Sequence, residues 1–203
     1  MNRLSVEEFR VSEKLPLTVV LDNVRSLNNI GSVFRTSDAF RVEHIALCGI
    51  TATPPHREIH KTALGAEDSV EWSYHEDTAE CLRSLKDKGF RIYAVEQVDD
   101  SIKLGDVSST NAFTHLRIYA LKVAIILGNE IEGVQESLLP LCDGCLEIPQ
   151  FGTKHSLNVS CAAAIVIWEI FKMFNHVDRQ LFSGNDSPVD GQMFGGINSP
   201  KGA

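Results

Sequence analysis

Apolar residues fall along the chain in short continuous runs separated by stretches with helical spacing, the alternation of a sheet whose strands are joined by helices. Leu17 to Leu21 is unbroken and β-branched, and Ile30, Val33, Phe34 and Ser37 then recur at i, i+3, i+4 and i+7, so a strand leads into a helix. His44 to Cys48 predicts a second strand, Arg57 to Ala63 a short helix, and Val70 to Tyr74 a third strand. Asp77 with Glu80 opens a helix that runs to Lys88 and stops at Gly89, and Arg91 to Val95 predicts the fourth strand. Residues 97 to 118 are polar and irregular, a loop region with room for one helical turn. Leu121 to Leu127 is almost wholly apolar and Cys145 to Ile148 predicts a last short strand. From Ser156 to Phe174 the spacing is helical but apolar on nearly every side, so this helix needs cover on more than one face, which a partner subunit would supply.

The two ends differ from this middle. Residues 1 to 14 are charged, with Ser5 three before Glu8 as a capping box, and predict an N-terminal extension with a short helix. Residues 176 to 203 hold five of the 14 glycines with prolines, serines and asparagines, too little apolar material to offset the entropy of ordering them, and predict a flexible tail. Residues 15 to 175 form the expected single α/β domain, a parallel-rich sheet flanked by helices.

Composition narrows the functional classes. The 203 residues are 43% hydrophobic and 23% charged, as in one soluble domain, and no apolar run approaches the roughly 20 residues of a membrane-spanning helix. The first residues lack the apolar block of a secretory signal, so the expected compartment is the cytoplasm. Twenty-seven acids against 19 bases give a charge of −8, which repels polyanions unless a local basic patch intervenes. Arg25, Arg35 and Arg41, with His56, Arg57, His60 and Lys61 in the Pro54-Pro55 loop, offer such a patch, although that loop also reads as a solvated turn. Five irregularly spaced cysteines do not form a disulfide framework, and Cys142-x-x-Cys145 lacks the second pair of a zinc site, so no metal is expected.

Three polar, glycine-bearing segments sit at predicted strand ends, where open α/β sheets bind ligands. Asn28-Asn29-Ile30-Gly31-Ser32-Val33-Phe34-Arg35-Thr36 combines a helix start with a guanidinium, a seat for phosphate or a forming oxyanion, or simply a capped helix in which Arg35 pairs with Asp38. Leu127-Gly128-Asn129-Glu130-Ile131-Glu132-Gly133 lets backbone approach a ligand and presents a carboxylate, or is an acid-capped turn; it has neither P-loop nor dinucleotide spacing. Ile148-Pro149-Gln150 through Ser156-Leu157-Asn158-Val159-Ser160 leads into the apolar helix, whose start Ser156 and Asn158 can cap.

Together Asn29-x-Gly31-x-x-x-Arg35-Thr36, Leu127-Gly128-Asn129-Glu130-x-x-Gly133, and Ile148-Pro149 with Ser156-Leu157-Asn158-Val159-Ser160 resemble motifs one, two and three of the SpoU/TrmH family of RNA ribose 2′-O-methyltransferases, over residues 16 to 174. Gln150 stands where the family reads Ile-Pro-Met. The resemblance implies a SPOUT-class fold with a C-terminal trefoil knot, S-adenosylmethionine as cofactor, and a homodimer with its active site near the subunit interface. It implies that Leu127, Gly128, Ile148 and Leu157, with the strand end at Ala94 to Glu96, hold the cofactor, and that Asn29, Arg35, Glu130, Ser156 and Asn158 surround the target ribose. An arginine costs at least about 7 kcal/mol to deprotonate at pH 7, so Arg35 is expected to stabilise the developing alkoxide or hold a phosphate, with Glu130 positioning Arg35 or Asn29.

The expected activity is therefore methyl transfer to a ribose 2′-hydroxyl of RNA, tRNA ahead of rRNA because the chain is short. The alternatives are a catalytically idle relative that binds RNA or a partner, and a small-molecule methyltransferase or hydrolase on the same plan; adjacency of His155 and Ser156 without a nucleophile elbow speaks against hydrolysis.

Overall fold

A computed structural model of the chain describes residues 4–104, 122–153 and 156–182, with side chains as far as Phe174. Seven strands form one sheet in the order β3-β2-β1-β6-β4-β7-β5, and every neighbouring pair is parallel. They are β1 (Leu15–Asp22), β2 (Val42–Cys48), β3 (Glu71–His75), β4 (Arg91–Val95), β5 (Ile102–Lys103), β6 (Val123–Leu127) and β7 (Gly144–Glu147). The helices are α1 (Val6–Val11), α2 (Leu27–Ala39), α3 (Arg57–Ala63), α4 (Ala66–Ser69), α5 (Thr78–Asp87) and α6 (Val159–Phe182), with a 3-10 turn over Glu136–Leu141.

The apolar runs become strands because the sheet is covered on both sides. In β1, Leu17, Val19 and Leu21 join the core shared with α2 and α6, while Val20 points to a second core built on Leu82, Leu85 and Ile92. Strand β6 divides in the same way, Val123, Ile125 and Leu127 to the first core and Ala124 and Ile126 to the second. Each such side chain wholly removed from water contributes roughly 1.5–3 kcal/mol, so the central pair β1 and β6 anchors the domain.

Local signals set the helix ends. Ser5 and Glu8 form both bonds of the capping box at α1, and Asp77 accepts from the Ala79 and Glu80 amides at α5. Ser26 caps α2, whose buried face carries Ile30, Val33, Phe34 and Ser37. Helix α4, the 3-10 turn and the short edge strand β5 are too brief to leave a periodic signal; the rest of the expected loop, residues 105–118, and Leu121 of the expected strand lie outside the described residues. Helix α6 starts at Val159 rather than Ser156 and runs to Phe182, past the domain boundary expected after residue 175; of the expected tail, residues 183–203 lie outside the described residues.

One face of α6 is buried through Ala163, Val166, Ile167, Ile170 and Met173, but Leu157, Cys161, Ile165 and Trp168 form an exposed stripe, Trp168 being 45% accessible. Trp168 stacks with Phe171 and both tilt against Phe40 at the end of α2, with ring centroids 5.1 to 5.9 Å apart.

Helices α2 and α3 meet at Gly31. A Cβ placed there would lie 2.2 Å from Thr62 Oγ1 and 2.3 Å from the Ile59 carbonyl oxygen. Gly31→Ala is expected to lower stability by about 1–3 kcal/mol in urea unfolding, through overpacking against backbone. Gly152→Ala, where nothing lies within 4 Å, is expected to change it by less than about 0.5 kcal/mol.

Candidate active site

The sheet changes winding direction at β1. The chain steps outward through β2 and β3, then builds β6, β4, β7 and β5 on the other side, and such a switch point opens a crevice beyond the carboxyl ends of the strands. Leu21 is level with Leu127, Ala94 with Ile126, and Val95 with Leu146, so the segments following β1, β6, β4 and β7 emerge side by side. Those following β6, β4 and β7 line a cavity of about 330 Å³.

A hydrogen-bond network ties three of these segments together. Glu130, just beyond β6, accepts from the Ser26 amide at 3.1 Å, from the Arg25 amide at 3.3 Å and from Asn29 Nδ2 at 3.1 Å. Asn158, ahead of α6, donates through Nδ2 to Asn29 Oδ1 at 3.0 Å. The Asn158 Oδ1 accepts from the Ser160 amide and hydroxyl, which fixes the orientation of its amide at the start of α6. Partial burial pushes the Glu130 carboxyl upward, but the backbone and Asn29 donors outweigh it and hold the group below the usual carboxylate range.

Glu130 takes the Arg25 and Ser26 amides just ahead of α2, and the Asn29 amide donates to Ser26 Oγ at 3.3 Å. Gly31 serves the contact with α3. Asn29 is buried and belongs to the network, whereas Arg35 is six residues on, about 9 Å along the axis and on another face. Arg35 is exposed and forms no hydrogen bond or ion pair with another described residue; Asp38 accepts instead from Ser69 Oγ at 2.6 Å. Glu130 therefore positions Asn29 and not Arg35.

The segment after β6 is a closed turn. The Asn129 amide donates to the Gly133 carbonyl, the Gly133 amide donates back to the Asn129 carbonyl, and Asn129 Oδ1 accepts from the Ile131 and Glu132 amides. A Cβ on Gly128 would lie 1.9 Å from Gly133 backbone, so only glycine permits the turn to fold onto the strand end. Glu96 braces the far side by accepting from the Val134 amide at 3.1 Å.

Leu127, Gly128, Ile148 and Leu157 line the cavity together with Glu130 and Ser156. Ala94 does not: it is wholly buried in the second core, and its successors Val95, Glu96 and Gln97 reach the cavity instead. The sequence reading missed Gln97, Glu132 and Leu146 as lining residues and Ser26 as a network member; Ser26 alone carried a signal, as a good N-cap before a helical run. Lys154 and His155 lie outside the described residues. In the Pro54-Pro55 loop the basic groups are largely engaged, His56 as cap of α3, His60 against Glu67 at 2.5 Å and Lys61 against Glu58 at 2.7 Å. Cys142 is pushed up to about 11 by burial beside Cys145, so it is a protonated thiol at neutral pH. Among the described residues no group of three or more His, Cys, Asp or Glu side chains is placed to hold a metal.

The lining suits S-adenosylmethionine. Leu127, Leu146, Ile148, Leu157 and Val159 supply apolar surface for an adenine and a methionine chain, and no described lining side chain is basic, which disfavours a polyphosphate. Once bound, the cofactor supplies an electrophilic methyl group.

The chain belongs to the SpoU methylase family, S-adenosylmethionine-dependent RNA ribose methyltransferases: the model described as SpoU rRNA Methylase family matches residues 16–168. Among individual relatives, the tRNA (guanosine(18)-2'-O)-methyltransferase of Thermus thermophilus is 33% identical over 167 residues, which cover 82% of this chain and 80% of that protein. The solved structure of the A. aeolicus TrmH/SpoU tRNA modifying enzyme superposes with a TM-score of 0.71 at 23% identity, covering 84% of this chain and 81% of that one. The methyltransferase AviRb from Streptomyces viridochromogenes, solved in complex with AdoMet, superposes with a TM-score of 0.69 at 20% identity over 82% of this chain and 64% of that one.

Because the folded Glu130 carboxyl titrates below its ordinary value, its charge stabilises the fold above about pH 4.5, and that contribution disappears as pH falls through the lower folded value. Glu130→Gln is therefore expected to lower the urea midpoint at pH 7, by an amount that shrinks as the pH falls towards 3. A deficit of the same size at both pH values would assign Glu130 a role without its charge.

Proposed function

We propose that this family member methylates a ribose 2′-hydroxyl of tRNA, works as a homodimer, and uses Asn29, Arg35, Glu130, Ser156 and Asn158 around the target sugar. The observation that carries the reading is the Glu130–Asn29–Asn158 network at the rim of the cofactor cavity, since it joins all three motif segments at one place. The tRNA preference is supported by the Thermus relative, which is matched over most of its length.

In this reading the cavity residues Leu127, Gly128, Ile148 and Leu157 hold the cofactor while Asn29 and Asn158 orient the ribose by hydrogen bonds. Ser156, exposed at the cavity rim, offers one more hydroxyl to the sugar. Arg35 acts from outside the network, on the phosphate or the developing alkoxide, and its guanidinium, exposed and without a partner among the described residues, suits a site completed by a second subunit. The stripe of Leu157, Cys161, Ile165 and Trp168, continued by Phe40, supports a dimer packed through α6, because so apolar a helix face is rarely left to water. The strand order in the β6-β4-β7-β5 half supports threading of the chain there as a trefoil knot. Five free thiols suit a reducing cytoplasm, and among the described residues no helix is long and apolar enough to cross a membrane.

The test is transfer of labelled methyl groups to bulk tRNA and bulk rRNA, followed by nucleoside analysis. Label is expected in ribose-methylated nucleosides of tRNA, with a loss of at least about 100-fold in Arg35→Ala and little rescue in Arg35→Lys if a planar, bidentate arginine is needed. Trp168→Glu is expected to sediment as a monomer and to lose transfer. Label confined to small metabolites would overturn the RNA reading, and full activity of a monomeric variant would overturn the dimer.

A further inference from the structure

The charge of the cofactor cavity is one-sided. Glu96, Glu130 and Glu132 line it, and none of its described lining residues is lysine, arginine or histidine. The three carboxylates are not equivalent. Glu130 is saturated by the amides at the start of α2 and by Asn29, so much of its charge is already answered. Among the described residues Glu96 accepts a single amide bond, from Val134, and Glu132 only a long one, from Asn129 Nδ2 at 3.4 Å. Neither forms an ion pair with a described residue. Glu96 follows β4 and Glu132 lies in the turn after β6, so two walls of the cavity each present an anionic group that no cation among the described residues answers.

Charge is what separates the methyl donor from the spent cofactor. S-adenosylmethionine carries a sulfonium, an ammonium and a carboxylate, a net charge of +1. In methyl transfer the carbon–sulfur bond breaks with its electron pair left on sulfur, the new carbon–oxygen bond forms on the ribose, and the hydroxyl proton goes to solvent. The spent thioether, S-adenosylhomocysteine, is then neutral overall and differs from the donor by one methyl group and one positive charge. Shape gives the cavity little with which to tell the two apart, while an acidic lining acts on the charge directly.

We propose that Glu96 and Glu132 are specificity-determining residues that make the cavity select the sulfonium cofactor over its neutral product, favouring exchange of product for fresh donor after each turnover. The proposal rests on the cofactor reading above. Neither residue belongs to the set assigned to the ribose, and each acts by field rather than by a bond to the reacting atoms. The field reaches the ligand in a cavity open to solvent, so its effect is screened by salt.

The test is titration calorimetry of the full-length protein with S-adenosylmethionine and, separately, S-adenosylhomocysteine. Wild type is compared with Glu96→Gln, Glu132→Gln and the double variant, at low and at about 0.5 M salt. Glutamine keeps the shape and, at position 96, an acceptor for the Val134 amide, so the fold is retained. The ratio of donor affinity to product affinity is expected to fall roughly threefold for each carboxylate removed and about tenfold in the double variant, as for screened unit charges several ångströms apart. The wild-type ratio is expected to shrink at high salt towards that of the double variant. Loss of packing or hydrogen bonding would weaken both ligands alike, so an unchanged ratio in all three variants overturns the proposal while leaving the cofactor assignment intact. Failure of the wild-type protein to bind either ligand overturns the cofactor assignment, and this inference with it.

Discussion

A single carboxylate holds the active-site end of this domain together. Glu130 leaves the end of a strand at the centre of the sheet and accepts from the Arg25 and Ser26 amides just ahead of α2. Its third bond fixes the amide of Asn29, whose oxygen is then left to receive Asn158 from a segment 129 residues away. Because an amide has a donor end and an acceptor end, the carboxylate on one side dictates which partner is accepted on the other. Asn158 closes the series by capping α6 through Ser160, so the helix that bears the exposed apolar stripe is registered against the same network.

The parallel sheet makes this economy of contacts sufficient. Strands β1 and β6 are buried on both faces and in register from Leu17 with Val123 to Leu21 with Leu127, which leaves their carboxyl ends level and stiff. The turn after β6 is locked by its own hydrogen bonds and by the close approach of Gly128 to Gly133. A rigid rim of this kind lets a methyl donor and a sugar hydroxyl meet with little reorganisation, the condition under which positioning contributes most to the rate. In the proposed reading the neutral amides of Asn29 and Asn158 and the Arg35 guanidinium are left to meet the sugar, because the carboxylate is committed to structure.

Much of this was legible in the chain, and the limits have physical causes. The strands β1, β2, β4 and β6 could be read because burial on both faces demands unbroken apolar runs, and α3 because its cap and spacing are local. Three short motifs pointed to Asn29, Glu130 and Asn158, but which of them touch depends on sheet order, which no local pattern encodes. For the same reason Glu130 was assigned a choice of Arg35 or Asn29, and only the helical rotation between those two residues decides it. Of the strand end read as Ala94 to Glu96, Val95 and Glu96 line the cavity and Ala94 does not, because the pleat turns Ala94 into the second core. Asp22 left no signal at all: it is wholly buried, and the hydroxyl of Thr78 and the amides of Asn23 and Gln135 that satisfy it come from three separate parts of the chain.

The central claim is that Asn29 and Asn158 act as one unit, oriented by Glu130, rather than as two independent contacts to the substrate. A double-mutant cycle on kcat/KM for methyl transfer, with Asn29→Ala, Asn158→Ala and the double variant, measures this most directly. The account predicts strong non-additivity, the double variant being no worse than the worse single one and the coupling amounting to about 1 kcal/mol or more. Losses that simply add, within about 0.5 kcal/mol, would contradict it.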